Sequence, residues 1–181
     1  THFVELRTYE QLLLSLVDFN PTLDKAIREY RGTELERLYV EQELVFESEL
    51  KPGQEVKTYL LDEALEKWLN TPSSTFLAIL GDFGAGKTSL CKRLSCQMAL
   101  KVKENPGQSR LPVTIALKEA GSTTVTLENI LSDHFQRLSS QTISSHALLH
   151  LNREGYLLLI FDGFDDMIGY TDVGRFLENL R

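Results

Sequence analysis

The chain has little of what disulfide scaffolds, membrane spans and nucleic-acid grips are built from. Two of its 181 residues are cysteine, Cys91 and Cys96, and two thiols in one helical stretch give neither a disulfide framework nor a metal-ligand spacing. A reducing, cytoplasmic setting is the expectation. The longest apolar runs are of six residues, as from Tyr156 to Phe161, against roughly 20 for a bilayer helix. No secretory leader is visible at the start, and an opening Thr1 in place of Met suggests a piece of a longer chain. Basic charge is also short: 19 Lys and Arg stand against 26 Asp and Glu, for a net −7. That balance suits neither a polyphosphate backbone nor an acidic membrane held over a broad surface, though it allows one local anion site. A 42% hydrophobic, 25% charged composition is that of a chain that buries a core, and the length fits one domain.

Along residues 1–57 the spacing predicts short helices leading into a solvated connection. Tyr9, Leu12, Leu13 and Leu16 share one helical face, as do Leu23, Ala26, Ile27 and Tyr30. Asn20-Pro21 reads as an N-cap with proline in the first turn, and Thr33 with Glu36 has the capping-box spacing. A short strand is expected at Leu44 to Phe46 before the acidic turn around Pro52-Gly53. Leu61, Leu65 and Trp68 then fall on one side of a helix, which makes Trp68 a core or interface anchor.

From Thr75 onward the pattern changes. "TFLAIL", "LPVTIALKE" and "YLLLIF" read as buried strands, separated by helices from about Lys87 to Val102, after Thr126, and from about Ser144 to Arg153. Asp172 to Leu180 also reads as helical. Near-continuous apolar strands alternating with helices predict an α/β fold, a parallel sheet with helices on both faces.

Between the first of these strands and its helix lies "GDFGAGKTS", which matches G-x-x-x-x-G-K-[ST] at every fixed position and in the strand–turn–helix context that gives the motif meaning. Gly81, Gly84 and Gly86 allow a tight curl in which the N–H groups of Asp82, Phe83, Ala85 and their neighbours converge on a phosphate. The helix beginning near Lys87 adds its positive end. Lys87 supplies a point charge for outer phosphates, Ser89 lies in the first helical turn, and the Thr88 hydroxyl suits a magnesium ion.

"YLLLIFDGFDDM" runs an apolar strand into Asp162, Asp165 and Asp166. Carboxylates so close repel unless a positive charge lies between them. Asp162 at the strand end fits the second protein ligand of that magnesium. Asp165 and Asp166 fit a carboxylate that orients or deprotonates an attacking water, and equally fit turn and cap residues. Other metal readings fail: the aspartates lack EF-hand spacing, and "HALLH" (His146 to His150) has Ala147 where a zinc helix carries its Glu. His134 lies in the apolar register of its helix and reads as a hydrogen-bonded core residue.

"FLAILGDFGAGKTSL" together with "LLLIFDGFDDM" resembles the NACHT group of STAND NTPases, signal-transducing ATPases related to the AAA+ class. Gly163 directly after the first acid carries the distinction, since simple AAA+ proteins usually place a second acid there. The resemblance covers residues 58–181 and implies the N-terminal portion of a three-layer P-loop NTPase core, incomplete and preceded by short helices, with three strands of a five-stranded sheet. It implies ATP/ADP and Mg2+ as cofactors. It also implies an ADP-closed, ATP-open switch that self-oligomerises, with an N-terminal effector and a C-terminal sensor outside the chain, as in bacterial antiphage and animal innate-immune relatives. "LYVEQ" is similar to the segment preceding NACHT domains, which implies that Tyr39 and Val40 approach the adenine. Asp166 departs from the Glu usual in the family. Two alternatives stay open: a small-molecule P-loop kinase, which would want a basic lid that "ALKEAG" and "FQRL" scarcely provide, and a non-hydrolysing interaction module.

Overall fold

The computed structural model describes residues 7–50, 56–71, 76–117, 126–138 and 143–163. Its N-terminal helices are α1 (Tyr9–Leu16), α2 (Asn20–Arg28) and α3 (Glu34–Leu38). Thr8 and Gln11 close a reciprocal capping box at α1 (3.2 and 3.0 Å), a device the sequence reading does not single out. Two expected caps are built differently. Asn20 is the first residue of α2 and not its cap; the Asp18 carboxylate, two residues earlier, accepts from its N–H and from Nδ2 (3.0 and 2.8 Å). At α3 the expected box does not form: Glu36 accepts from the Gly32 N–H (2.7 Å), one residue before the cap, and pairs with Arg31 (2.6 Å), while the Thr33 hydroxyl turns back to donate to the Tyr30 carbonyl (2.6 Å).

Where a short strand was expected at Leu44 to Phe46, the strand β1 covers Glu43–Leu44, sharing only Leu44 with that range, and pairs antiparallel with β2 (Tyr59–Leu60). Helix α4 (Leu61–Leu69) follows at once and buries Leu61 and Leu65 against Leu90. Trp68 packs, half-buried, on the cluster of Met98, Leu158 and Ile160, the anchoring role its register predicts.

Helix α5 (Lys87–Glu104) is the longest of the described helices and lies against β3 (Leu111–Ala116) and β4 (Leu157–Asp162). These two strands pair in parallel, from Leu111 opposite Leu157 to Ala116 opposite Asp162. A parallel pair requires a crossover, supplied here by α6 (Leu127–Leu138) and α7 (Ser145–Arg153). Thr126 caps α6 by accepting from the Asn129 N–H (3.2 Å), and Gly155 ends α7 at φ +77°. Neighbouring residues of β4 leave in opposite directions: Leu158 and Ile160 meet Met98 of α5, whereas Leu157 joins Phe135, Leu148 and Leu151 of α6 and α7. Thr114 donates to or accepts from Ser95 (2.8 Å), a polar tie inside the α5 contact. The molecule is thus mixed α/β with a parallel strand pair.

The expectation of a strand at "TFLAIL" does not hold in residues 76–80. No strand pairing forms there, and Phe76, Ile79 and Leu80 are exposed. A strand needs a neighbour for its N–H and C=O groups, and among the described residues β4 pairs on one edge with β3 alone. The described sheet therefore has two strands where three were expected. The helix expected at Asp172 to Leu180 lies outside the described residues.

His134, expected as a hydrogen-bonded core residue, is half-buried, and its Nε2 is sealed from water with no hydrogen-bond partner among the described residues. Burial pushes its pKa down to about 4, with Lys25 and Arg137 adding to the shift. The folded state therefore refuses a proton that the unfolded chain takes up near pH 6.5. Stability from this group is complete above pH 6.5 and falls as the pH drops toward 4. Relative to His134→Phe, the wild type should lose roughly 2–3 kcal/mol over that window, measurable by urea denaturation at stepped pH.

Candidate phosphate-binding loop and metal site

The loop from Gly81 to Gly86 leads into α5. Gly84 and Gly86 sit at φ +83° and +84°, a left-handed backbone that residues with a Cβ adopt only at a cost. The Ala85 N–H donates to the Asp82 carbonyl (3.1 Å) and the Leu90 N–H to that of Gly86 (2.9 Å), so the chain passes from tight turn to helix without a break. At the first turn of α5 the N–H groups of Thr88 and Ser89 point out of the helix end and not to a carbonyl one turn back. They lie at the positive end of an 18-residue helix. The Lys87 ammonium folds over the loop and donates to the carbonyls of Gly81 (2.7 Å) and Asp82 (3.2 Å). Residues Gly81 to Ala85 are exposed, Phe83 fully so.

Packing of α5 on β4 brings Thr88 to Asp162, and the Thr88 hydroxyl donates to Oδ1 at 3.0 Å. Two residues far apart in sequence, singled out there as partners for one ion, are thus in direct contact at the carboxyl end of the parallel strands, where open α/β sheets bind ligands. Both donors are hard oxygens, the type that magnesium takes. Their separation is close to the ~2.9 Å between adjacent ligands of an octahedral ion with ~2.05 Å bonds. One turn along α5, Cys91 is half-buried; desolvation first, and then the Asp162 charge, push its thiol up to about 12. A cavity of about 550 Å³ lies at the other end of the strands, bordered by Val102, Leu111 and Tyr156, away from this chemistry.

Tyr39 and Val40 run beside the same helix. Tyr39 is enclosed between Tyr30 (centroids 6.4 Å apart, edge-on) and the Arg93 guanidinium, 4.3 Å from its ring centre; its hydroxyl is buried with no partner among the described residues. Val40 is largely exposed. Asp165 and Asp166 lie outside the described residues. Of the "HALLH" pair, His146 is exposed and His150 bonds Glu10 (2.9 Å); no cluster of three metal-ligating side chains occurs among the described residues.

Sequence reading missed two groups here. Arg93 makes a two-pronged ion pair with Asp62 of α4 while stacking on Tyr39, and Gln42 reaches the loop, donating from Nε2 to the Ala85 carbonyl (2.7 Å). Neither belongs to a fixed-spacing motif; an arginine one helical face from the loop, opposite an acid in the preceding helix, is the one available signal.

No family model and no solved structure matches the chain. It is 28% identical over 184 aligned positions to the Uncharacterized WD repeat-containing protein alr3466 of Nostoc sp., an alignment covering 95% of this chain and 12% of that protein. The chain therefore spans about an eighth of that relative's length. A WD array repeats every ~40–45 residues with a Trp-Asp signature; the single tryptophan of this chain, Trp68, is followed by Leu69. No described helix is long and apolar enough to cross a membrane.

At Gly86 an added Cβ would lie 2.5 Å from Gln42 Nε2, on a backbone already at positive φ. Gly86→Ala should therefore cost about 1–2 kcal/mol for the left-handed backbone alone, read as a lower urea midpoint at unchanged m-value.

Proposed function

We propose that this chain is the nucleotide-binding part of a NACHT-type signal-transducing ATPase, a three-layer P-loop core that binds ATP or ADP with Mg2+. The observation that carries the reading is the 3.0 Å contact of Thr88 with Asp162, set beside a loop whose glycines, lysine and helix start all match phosphate binding. In this reading the loop N–H groups hold a β-phosphate and Lys87 exchanges its loop carbonyls for outer phosphate oxygens. Thr88 and Asp162 hold the ion, which when bound offsets phosphate charge and polarises the terminal phosphoryl group. Asp165 and Asp166, which follow Asp162 in sequence, are the candidates to orient water. Tyr39 and Val40 edge the adenine side.

The wider role follows from the resemblance. We place the chain in the cytoplasm as a switch, closed with ADP and open with ATP, whose exchange drives self-oligomerisation and an attached effector in a defence response. A repeat array such as the relative's name describes would suit its sensor. A small-molecule kinase is less well supported, because no arginine cluster faces the loop among the described residues; Arg93 is committed to Asp62 and Tyr39.

Lys87→Ala should abolish binding of MgADP, because it removes the ammonium aimed across the loop. Calorimetry with wild type and variant checks this: micromolar-range binding lost in the variant supports the assignment, and equal affinity in both overturns it.

A further inference from the structure

The Gln42 contact with the loop is over-determined in a way a chance surface contact is not. Its own carbonyl accepts from the Leu61 N–H at the start of α4 (2.8 Å). The next two residues pair with Leu60 and Tyr59, and three residues earlier Tyr39 is held under Arg93, itself tied to Asp62. The backbone on both sides of Gln42 is thus fixed to α4 and α5 before its side chain is considered. That side chain reaches one peptide unit, Ala85–Gly86. It donates to the Ala85 carbonyl (2.7 Å) and occupies the space where a residue-86 Cβ would stand, 2.5 Å from Nε2.

A trans peptide is planar, with its C=O and N–H pointing to opposite sides. Whatever fixes the Ala85 carbonyl therefore fixes the direction of the Gly86 N–H. With the carbonyl drawn to Gln42, that N–H is turned away from the linker, toward the concave side of the loop. Glycine at 86 lacks a Cβ to restrict its backbone, so an external hold on this peptide limits its rotation. Resting on the nucleotide-binding reading above, we propose that Gln42 is a positioning residue for phosphate capture: it sets the Ala85–Gly86 peptide so that its N–H meets the β-phosphate, and so makes the loop's grip depend on docking of segment 39–44.

Phosphate dependence supplies the test, because a general structural role would weaken all nucleotides alike. The full 181-residue chain, Gln42→Met, Gln42→Glu and Lys87→Ala are titrated with ADP and AMP in competition with a fluorescent ADP analogue, alongside melts without nucleotide. The expected result is melting within about 2 °C of wild type, ADP affinity lowered about tenfold in both Gln42 variants for the lost hydrogen bond, and AMP affinity unchanged. An ADP-to-AMP ratio equal to that of wild type overturns the positioning role, as does a melting loss of many degrees in both variants, which would make Gln42 a brace of the fold. Failure of the wild type itself to bind ADP, or unchanged ADP binding by Lys87→Ala, would instead overturn the nucleotide reading beneath it.

Discussion

The register of α5 across β4 fixes almost everything that matters at the site. Because Met98 packs against Leu158 and Ile160 and Ser95 bonds Thr114 of the neighbouring strand, the helix cannot slide along the sheet without losing both. That placement sets its first turn beside the last residue of β4 and leaves Thr88 3.0 Å from Asp162. The same turn presents the positive end of the helix. Apolar packing two to three turns down the helix thus decides whether two polar atoms meet at its start.

The linker is held by a second set of contacts that converge on the same helix. Arg93 pairs with Asp62 and covers Tyr39; the hydrogen bonds to the Asp62 carboxylate raise the guanidinium pKa above its ordinary value. Burying part of that pair removes water from both partners, which makes the geometry demanding: removal of one partner leaves the other exposed to an unfavourable environment. Upstream, Lys103 pairs with Asp24 (2.6 Å) and fastens α2 to the far end of α5. One helix therefore carries the glycine-rich loop at its start, the linker clamp in its middle and the N-terminal helices at its end.

Much of this was legible in the residues. The run "GDFGAGKTS" gives the loop because glycine positions, lysine and hydroxyl each have a separate physical reason, and Asp162 is marked by an acid ending an apolar run. The helices follow from one-sided apolar spacing, as in Leu61, Leu65 and Trp68. What failed did so for local and for global reasons. Asn20 lost its cap role to an acid two residues earlier, a competition that propensity does not rank. "TFLAIL" has the composition of a buried strand, but a ladder is a property of two segments, and residues 76–80 pair with no other segment among the described residues. Gln42 and Arg93 were invisible because their roles come from tertiary approach across 43 and 31 residues, which no local pattern encodes.

The central claim is that Thr88 and Asp162 share a magnesium ion in the nucleotide-bound protein. The direct test is the affinity for ADP measured with and without Mg2+ in wild type and in Asp162→Asn. The account predicts that Mg2+ tightens binding to wild type by about tenfold or more, for a carboxylate ligand to a hard ion, and that the variant loses most of this gain while keeping its magnesium-free affinity. Equal tightening by Mg2+ in both proteins would contradict it.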